Sequence, residues 1–265
     1  MTPITLSLFH SRHAAVLLIA AAAALTSATP ARADDGVIHL QFSGLFDRAT
    51  GSGKVQSEAR AVTGFQAITS RGSVKLVLRQ GTREGLVLRA DDNILPLIET
   101  QVVDRAGVPT LEIGTKRGAS YSSRSPIEAT IDLITLNALT ISGSGDVASD
   151  ALKTGSLKIT ISGSGNVRLK QLAADEVSTR IAGSGNVEFG GRTAKLAVSV
   201  SGSGDVNARA LEADDVSISV AGSGDANVTA RKTLTISIAG NGSVVYAGEA
   251  TVKSSIAGHG RVTKQ

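Results

Sequence analysis

One phrase constrains this chain more than any other feature: Ile141-Ser142-Gly143-Ser144-Gly145-Asp146-Val147, which returns at Ile161, Ile181, Val200, Val220, Ile238 and Ile256. The first glycines of the copies, Gly143, Gly163, Gly183, Gly202, Gly222, Gly240 and Gly258, lie 20, 20, 19, 20, 18 and 18 residues apart. A period of that length marks stacked repeat units. Each copy follows a stretch such as Leu157-Lys158-Ile159-Thr160-Ile161, apolar at every second place, which is the pattern of a strand with one buried face. The two glycines supply backbone without a Cβ, and Asp146, Asn166, Asn186, Asp205 and Asp225 are the side-chain types that best tolerate the same positive φ, so the phrase is predicted to be a corner. A second short strand (Val167-Arg168-Leu169) and a polar bend (Ala173-Ala174-Asp175-Glu176) then lead into the next copy.

Two or three short strands in so few residues cannot enclose a core alone. Stacked at ~4.8 Å they form the coils of a parallel β-helix, and seven such coils make a rod about 34 Å long. Ile141, Ile161, Ile181, Val200, Val220, Ile238 and Ile256 are the predicted inner ladder, whereas Ser144 and its successors, with Asn241 and His259 in the last two copies, face outward. The regular part is assigned to 136–265. Residues 34–135 keep β patterning without the period, with strands expected at Val37–Phe42, Gln56–Val62, Phe65–Ile68, Val74–Leu78, Leu86–Ala90, Thr110–Ile113 and Ile127–Leu133. A helical turn is expected after Asp92 or Asn93 as cap, and an exposed, mobile loop from Lys116 to Ser125. An open solenoid end needs a cover, so this half is read as irregular early coils or a β cap. Beyond the seventh phrase, Arg261 and Lys264 are candidate edge-blocking charges.

The first thirty-three residues read as an export signal: Arg12, an apolar run from Ala14 to Leu25 too short to span a bilayer, and the small-x-small pattern Ala31-Arg32-Ala33. Cleavage near Ala33 would deliver a periplasmic, cell-surface or secreted protein. With no cysteine, disulfides and a lipid anchor on cysteine are excluded. Without Arg12 and Arg32, 25 of the 27 basic residues face 23 acidic ones. That near-balance, together with the absence of a Lys/Arg run, gives no case for nucleic acid.

The run Gly53-Lys54-Val55 … Glu58-Ala59-Arg60-Ala61-Val62-Thr63-Gly64-Phe65-Gln66-Ala67-Ile68, the segment Ala90-Asp91-Asp92-Asn93-Ile94 … Ile98-Glu99-Thr100 and the repeated Ser-Gly-Ser-Gly-Asp/Asn together resemble the auto-transporter adhesin head GIN domain family. The resemblance spans Gly51 to Lys264. It implies a right-handed parallel β-helix in an exported protein and carries no catalytic residues with it.

Several constellations invite chemistry. The Asp/Asn column offers oxygen ligands for Ca²⁺, with Asp205 beside Asp225 the metal candidates, but the phrase occurs only once per coil, and φ > 0 with side-chain capping of the corner is the favoured explanation of the residue types. A calcium-dependent polysaccharide lyase or hydrolase would draw on Asp205, Asp225, Arg209, Arg231 and Lys232. None of these breaks the repeat, and Tyr121, Tyr246 and Phe189 are scattered, with no Trp to stack a sugar. Gly51-Ser52-Gly53-Lys54 lacks the Ser/Thr of a phosphate loop, since Val55 follows. His39 and His259 stand near opposite ends, which leaves no partner for a serine nucleophile or a His-rich metal site. The favoured reading is a non-enzymatic exported binding or scaffold module. Its partner would be a glycan or an envelope protein held on outward ladders such as Thr160, Arg180 and Ser199. The rival is a self-associating rod joined through the C-terminal coil.

Overall fold

The computed structural model describes residues 48–265, so the leader and the strand expected at Val37–Phe42 lie outside the described residues. Its strands, numbered along the chain, begin with β1 (Arg48–Thr50), β2 (Val55–Arg60), β3 (Ala67–Gly72), β4 (Val74–Gln80), β5 (Gly85–Asp91), β6 (Ile98–Arg105), β7 (Val108–Thr115), β8 (Ser120–Ser122) and β9 (Ile127–Leu133). They continue with β10 (Ala138–Gly143), β11 (Val147–Gly163), β12 (Val167–Gly183), β13 (Val187–Gly202), β14 (Val206–Gly222), β15 (Ala226–Gly240), β16 (Ser243–Ala247), β17 (Thr251–Gly258) and β18 (Arg261–Lys264).

From β10 onward the strands pair in parallel, each coil on the next, and the seven phrases stack glycine on glycine from Gly143 to Gly258. This is a parallel β-solenoid. The inner ladder is sealed over six coils, Ile141, Ile161, Ile181, Val200, Val220 and Ile238 each being at most 1% exposed, whereas Ile256, expected as its seventh member, is 43% exposed. A second ladder runs Leu139, Ile159, Thr179, Val198, Ile218, Ile236, and a third Val147, Val167, Val187, Val206, Ala226, Val244. Thr179 is buried with no partner for its hydroxyl. Fully buried Phe189 belongs to the one 19-residue coil, where Gly191 takes the register place held by Leu172 below and Leu211 above. Phe189 itself stands in register with Leu169 of the neighbouring coil.

The corner differs from expectation in one respect. Only the first glycine of each phrase has positive φ (Gly183, 133°), while no Asp or Asn of the column does, Ala106 being the one non-glycine with φ above zero among the described residues. The second glycine is required by close approach: a Cβ on Gly185 would overlap Gly165 O and Ile161 Cγ2. Asp and Asn instead hold the coils together, each side-chain oxygen accepting the backbone N–H one coil further on. Asn186 N–H donates to Asn166 Oδ1 (3.2 Å), Asp205 N–H to Asn186 Oδ1 (3.0 Å) and Asp225 N–H to Asp205 Oδ1 (2.9 Å). Asp and Asn favour such backbone bonds wherever a ladder leaves a donor free.

The N-terminal part stacks out of chain order. β3 and β4 pair with β10 and β11 on one side and with β7 and β9 on the other, so residues 67–80 lie between 108–133 and the regular coils. Antiparallel β6 then covers β7, and antiparallel β5 followed by β2 covers β9. Gly72 stacks beneath Gly143 with Val74 and Lys75 in the places of Gly145 and Asp146, which makes Ser70-Arg71-Gly72-Ser73-Val74-Lys75-Leu76 an eighth corner. β6 went unpredicted, because its exposure pattern leaves only Ile98 buried. The short helical turn is a 3-10 helix at Leu95–Leu97 with no side-chain cap. Asn93 is occupied elsewhere, accepting Ser52 N–H and donating to Thr50 O. The Lys116–Ser125 stretch carries β8, paired with β1.

Candidate functional site

Between the end of β4 and β15 the solenoid surface is indented by a groove of about 940 Å³ running along the stacking direction. Five strand spacings of ~4.8 Å make it about 24 Å long. Its floor is low because the bend residues are small: Gly81, Gly155, Ala173, Ala174 and Ala194. A Cβ on Gly155 would come within 3.8 Å of Asp175 Oδ2. Gln80 closes one end, its amide donating to Lys153 O (2.8 Å) and Ile134 O (2.9 Å) while accepting Lys153 N–H (2.7 Å).

The rim changes sign coil by coil. Lys153 comes from β11, Asp175 from β12, Arg192 from β13, Glu212 and Asp214 from β14, and Arg231 from β15. At the β15 end these charges meet: Lys232 Nζ lies 2.8 Å from Asp214 Oδ2, and Arg231 stands 3.8 Å from both Glu212 and Asp214. The hydrogen bond from Lys232 holds the Asp214 carboxyl below the usual range, and the same bond raises the Lys232 ammonium. Towards the other end, Lys153, Asp175 and Arg192 enter no ion pair among the described residues. Stacking opposite signs avoids like-charge neighbours, but only the upper part of this rim is spent that way.

The residues selected from sequence lie elsewhere for the most part. Asp205 and Asp225 are exposed members of the corner column, where Asp205 accepts Asp225 N–H and Asp225 Oδ1 accepts Ser243 N–H (2.8 Å). Among the described residues no three His, Cys, Asp or Glu side chains gather as a metal site would require. Arg209 Nη1 donates to Gln265 Oε1, and Arg209 is not among the groove lining. Only Arg231 and Lys232 of the proposed lyase set join Asp214. Thr160, Arg180 and Ser199 do stack as one outward ladder, and His259 sits exposed in the corner column. Gly51-Ser52-Gly53-Lys54 packs against carboxylates: Ser52 Oγ donates to Asp92, and a Cβ on Gly51 would overlap Asp91 Oδ2. Such a loop repels phosphate. The sequence had displayed the rim, as sign-alternating charges in the bend of successive copies, but without a groove those bends read as solvated turns.

Sequence and structure together define a parallel β-solenoid with an axial polar groove. The chain belongs to the family described as "putative auto-transporter adhesin, head GIN domain", whose model matches residues 64–250. A Bacteroides fragilis protein described as a "putative adhesin" is similar in structure, with 28% identity and a TM-score of 0.76 over 82% of this chain and 99% of its own. A Parabacteroides distasonis "putative adhesin" (26% identity, TM-score 0.66) matches 83% of this chain and 100% of its own. A second protein of that organism, described as a "putative lipid binding protein" (25%, TM-score 0.69), matches 82% and 99%. No curated protein matches the chain. Among the described residues no helix is long and apolar enough to cross a membrane, which says nothing of β-barrels.

Proposed function

We propose that the protein is an exported, non-enzymatic binding module of the cell envelope, and that it holds an extended glycan along the axial groove. The observation that carries this reading is the groove itself: an open trough crossing five strand spacings, with a floor of small residues and a charged rim. Every coil presents its bend at the same ~4.8 Å interval, so a ligand with its own translational repeat meets the same contact many times. A folded partner does not. Adhesin-like relatives accord with a binding role. Adding bulk to the exposed floor residue Ala194, as Ala194→Trp, leaves the fold intact and blocks the trough. Loss of binding to a panel of immobilised envelope polysaccharides supports the reading; retention of binding by the variant at wild-type affinity refutes it.

A second reading, association through the C-terminal coil, rests on Ile256, which is 43% exposed although the six residues beneath it in the ladder are buried. Polar Ser254 and Lys264 in neighbouring ladder places, the latter bonded to Glu249 at 3.1 Å, blunt the same surface. Light scattering of wild type beside Ile256→Lys decides it: a dimer that becomes a monomer supports association, and a wild-type monomer ends it.

A further inference from the structure

Resting on the glycan reading above, we infer that the groove selects linear acidic polysaccharides in which an acidic sugar alternates with a neutral or amino sugar. The inference comes from the order of charges and from what they leave unpaired. Cations occupy the rim at every second coil, Lys153, Arg192 and Arg231 on β11, β13 and β15, which places them about 10 Å apart by strand spacing. That interval is roughly two pyranose residues of an extended chain. The charged lining residues of the coils between them are acids alone, Asp175 on β12 and Glu212 with Asp214 on β14. A carboxylate or sulfate on every second sugar meets Lys153 and Arg192, which have no ion-pair partner among the described residues. The intervening sugar lies beside Asp175 and Glu212, whose oxygens accept from hydroxyl or ammonium groups. A polymer charged on every sugar instead sets each second acid against these carboxylates, a like-charge contact that lowers affinity.

Conformational cost is small for Lys153, Arg192 and Glu212, since their backbones belong to one register column, Lys153 on Ala173 and Arg192 between Ala173 and Glu212. Neither a metal nor an aromatic platform is needed, and the described groove lining has no aromatic side chain. Recognition is then electrostatic, with hydrogen bonds setting register along the chain.

The experiment is calorimetric titration of the full mature chain at low and physiological salt with three probes of matched length. Hyaluronan carries an acid on alternate sugars, polygalacturonate on every sugar, and chitin oligosaccharides on none. The expected order places hyaluronan first, about tenfold tighter than polygalacturonate, with the double variant Lys153→Ala/Arg192→Ala losing about tenfold towards hyaluronan alone. Both side chains are exposed, so the variant should melt with the wild type. Chitin binding as tightly as hyaluronan, or an unchanged affinity in the double variant, overturns charge alternation while the groove reading stands. Polygalacturonate binding tightest overturns the spacing. If no probe binds and the Ala194→Trp variant equals wild type towards envelope polysaccharides, the groove reading falls as well.

Discussion

The regular coils and the N-terminal coils solve the same stacking problem with different residues. At Gly143, Gly163 and their successors each corner rests on another tight corner, and a Cβ on the second glycine, such as Gly185, would overlap the carbonyl beneath. At the eighth corner the first glycine survives as Gly72, with φ of 89°, whereas Val74 replaces the second. Beneath it the chain passes from β7 to β9 through residues 116–126, not through a tight corner, and Val74 packs there, buried, above Ile127. The first glycine answers to φ and, in the regular coils, also to the neighbour below, whereas the second answers to that neighbour alone. A repeat is thus imposed by what lies under each coil, and it fades where that neighbour changes.

The largest test of this contrast is Ile181→Asp, which buries an unpaired charge in the regular stack and is expected to abolish cooperative thermal unfolding. Ser184→Ala, three residues on and exposed, should shift stability by less than about 0.5 kcal/mol. Next comes Gly185→Ala, expected to cost about 3 kcal/mol in urea titrations through overpacking against Gly165 and Ile161. Val74→Ala at the matching place only opens a small void, at about 1–2 kcal/mol. Equal costs would dissolve the distinction between the two regions.

Glu112 is the N-terminal region's own device. Its carboxylate, 5% exposed, accepts from Arg105 Nε at 2.7 Å and Arg71 Nη2 at 2.9 Å. Burial opposes ionisation, yet the two arginines prevail and set its pKa below the ordinary 4.5. Because the folded value is the lower one, this contribution is fully present above pH 4.5 and disappears as pH falls through the folded value. Glu112→Gln should cost about 2 kcal/mol at pH 7 and flatten the acid limb of the stability curve; an unchanged limb would assign acid sensitivity elsewhere. Thr179→Val, which removes an unpartnered buried hydroxyl in the regular stack, should raise stability by about 1 kcal/mol. Ala106→Gly, relieving φ of 53° in the β6–β7 turn, should gain less than about 1 kcal/mol in the cap.

What the sequence displayed follows from the same contrast. The solenoid, its inner ladder and the corners were legible because stacking repeats a chemical demand every coil, so Ile161, Ile181 and Val200 declare themselves together. β6 and the insertion of β3–β4 between later strands were not, since those pairings join residues with no periodic relation, such as Ser70 with Ile113. The Asp/Asn column was located correctly, as was its bonding of backbone by side-chain oxygens, but its φ is not positive: an Asn side chain serves a φ > 0 turn and an inter-coil bond alike, and only geometry separates them. The rim charges were in plain view, but a bend that is concave and one that is convex are spelled alike.

Where the coils fall out of register is not random. The shifts lie at Leu169/Leu172, Glu188/Gly190, Ala208/Glu212 and Ala213/Asp215, on the stretch leading to the groove wall, whereas the stretch from Leu157 to Gly163 and its stacked equivalents pair without interruption. Coils of 18, 19 and 20 residues therefore coexist by lengthening or shortening this one side. Insertions and deletions there re-cut the wall without disturbing the frame, which makes the solenoid a cassette holder. New contours can be tried one coil at a time on an unchanged chassis.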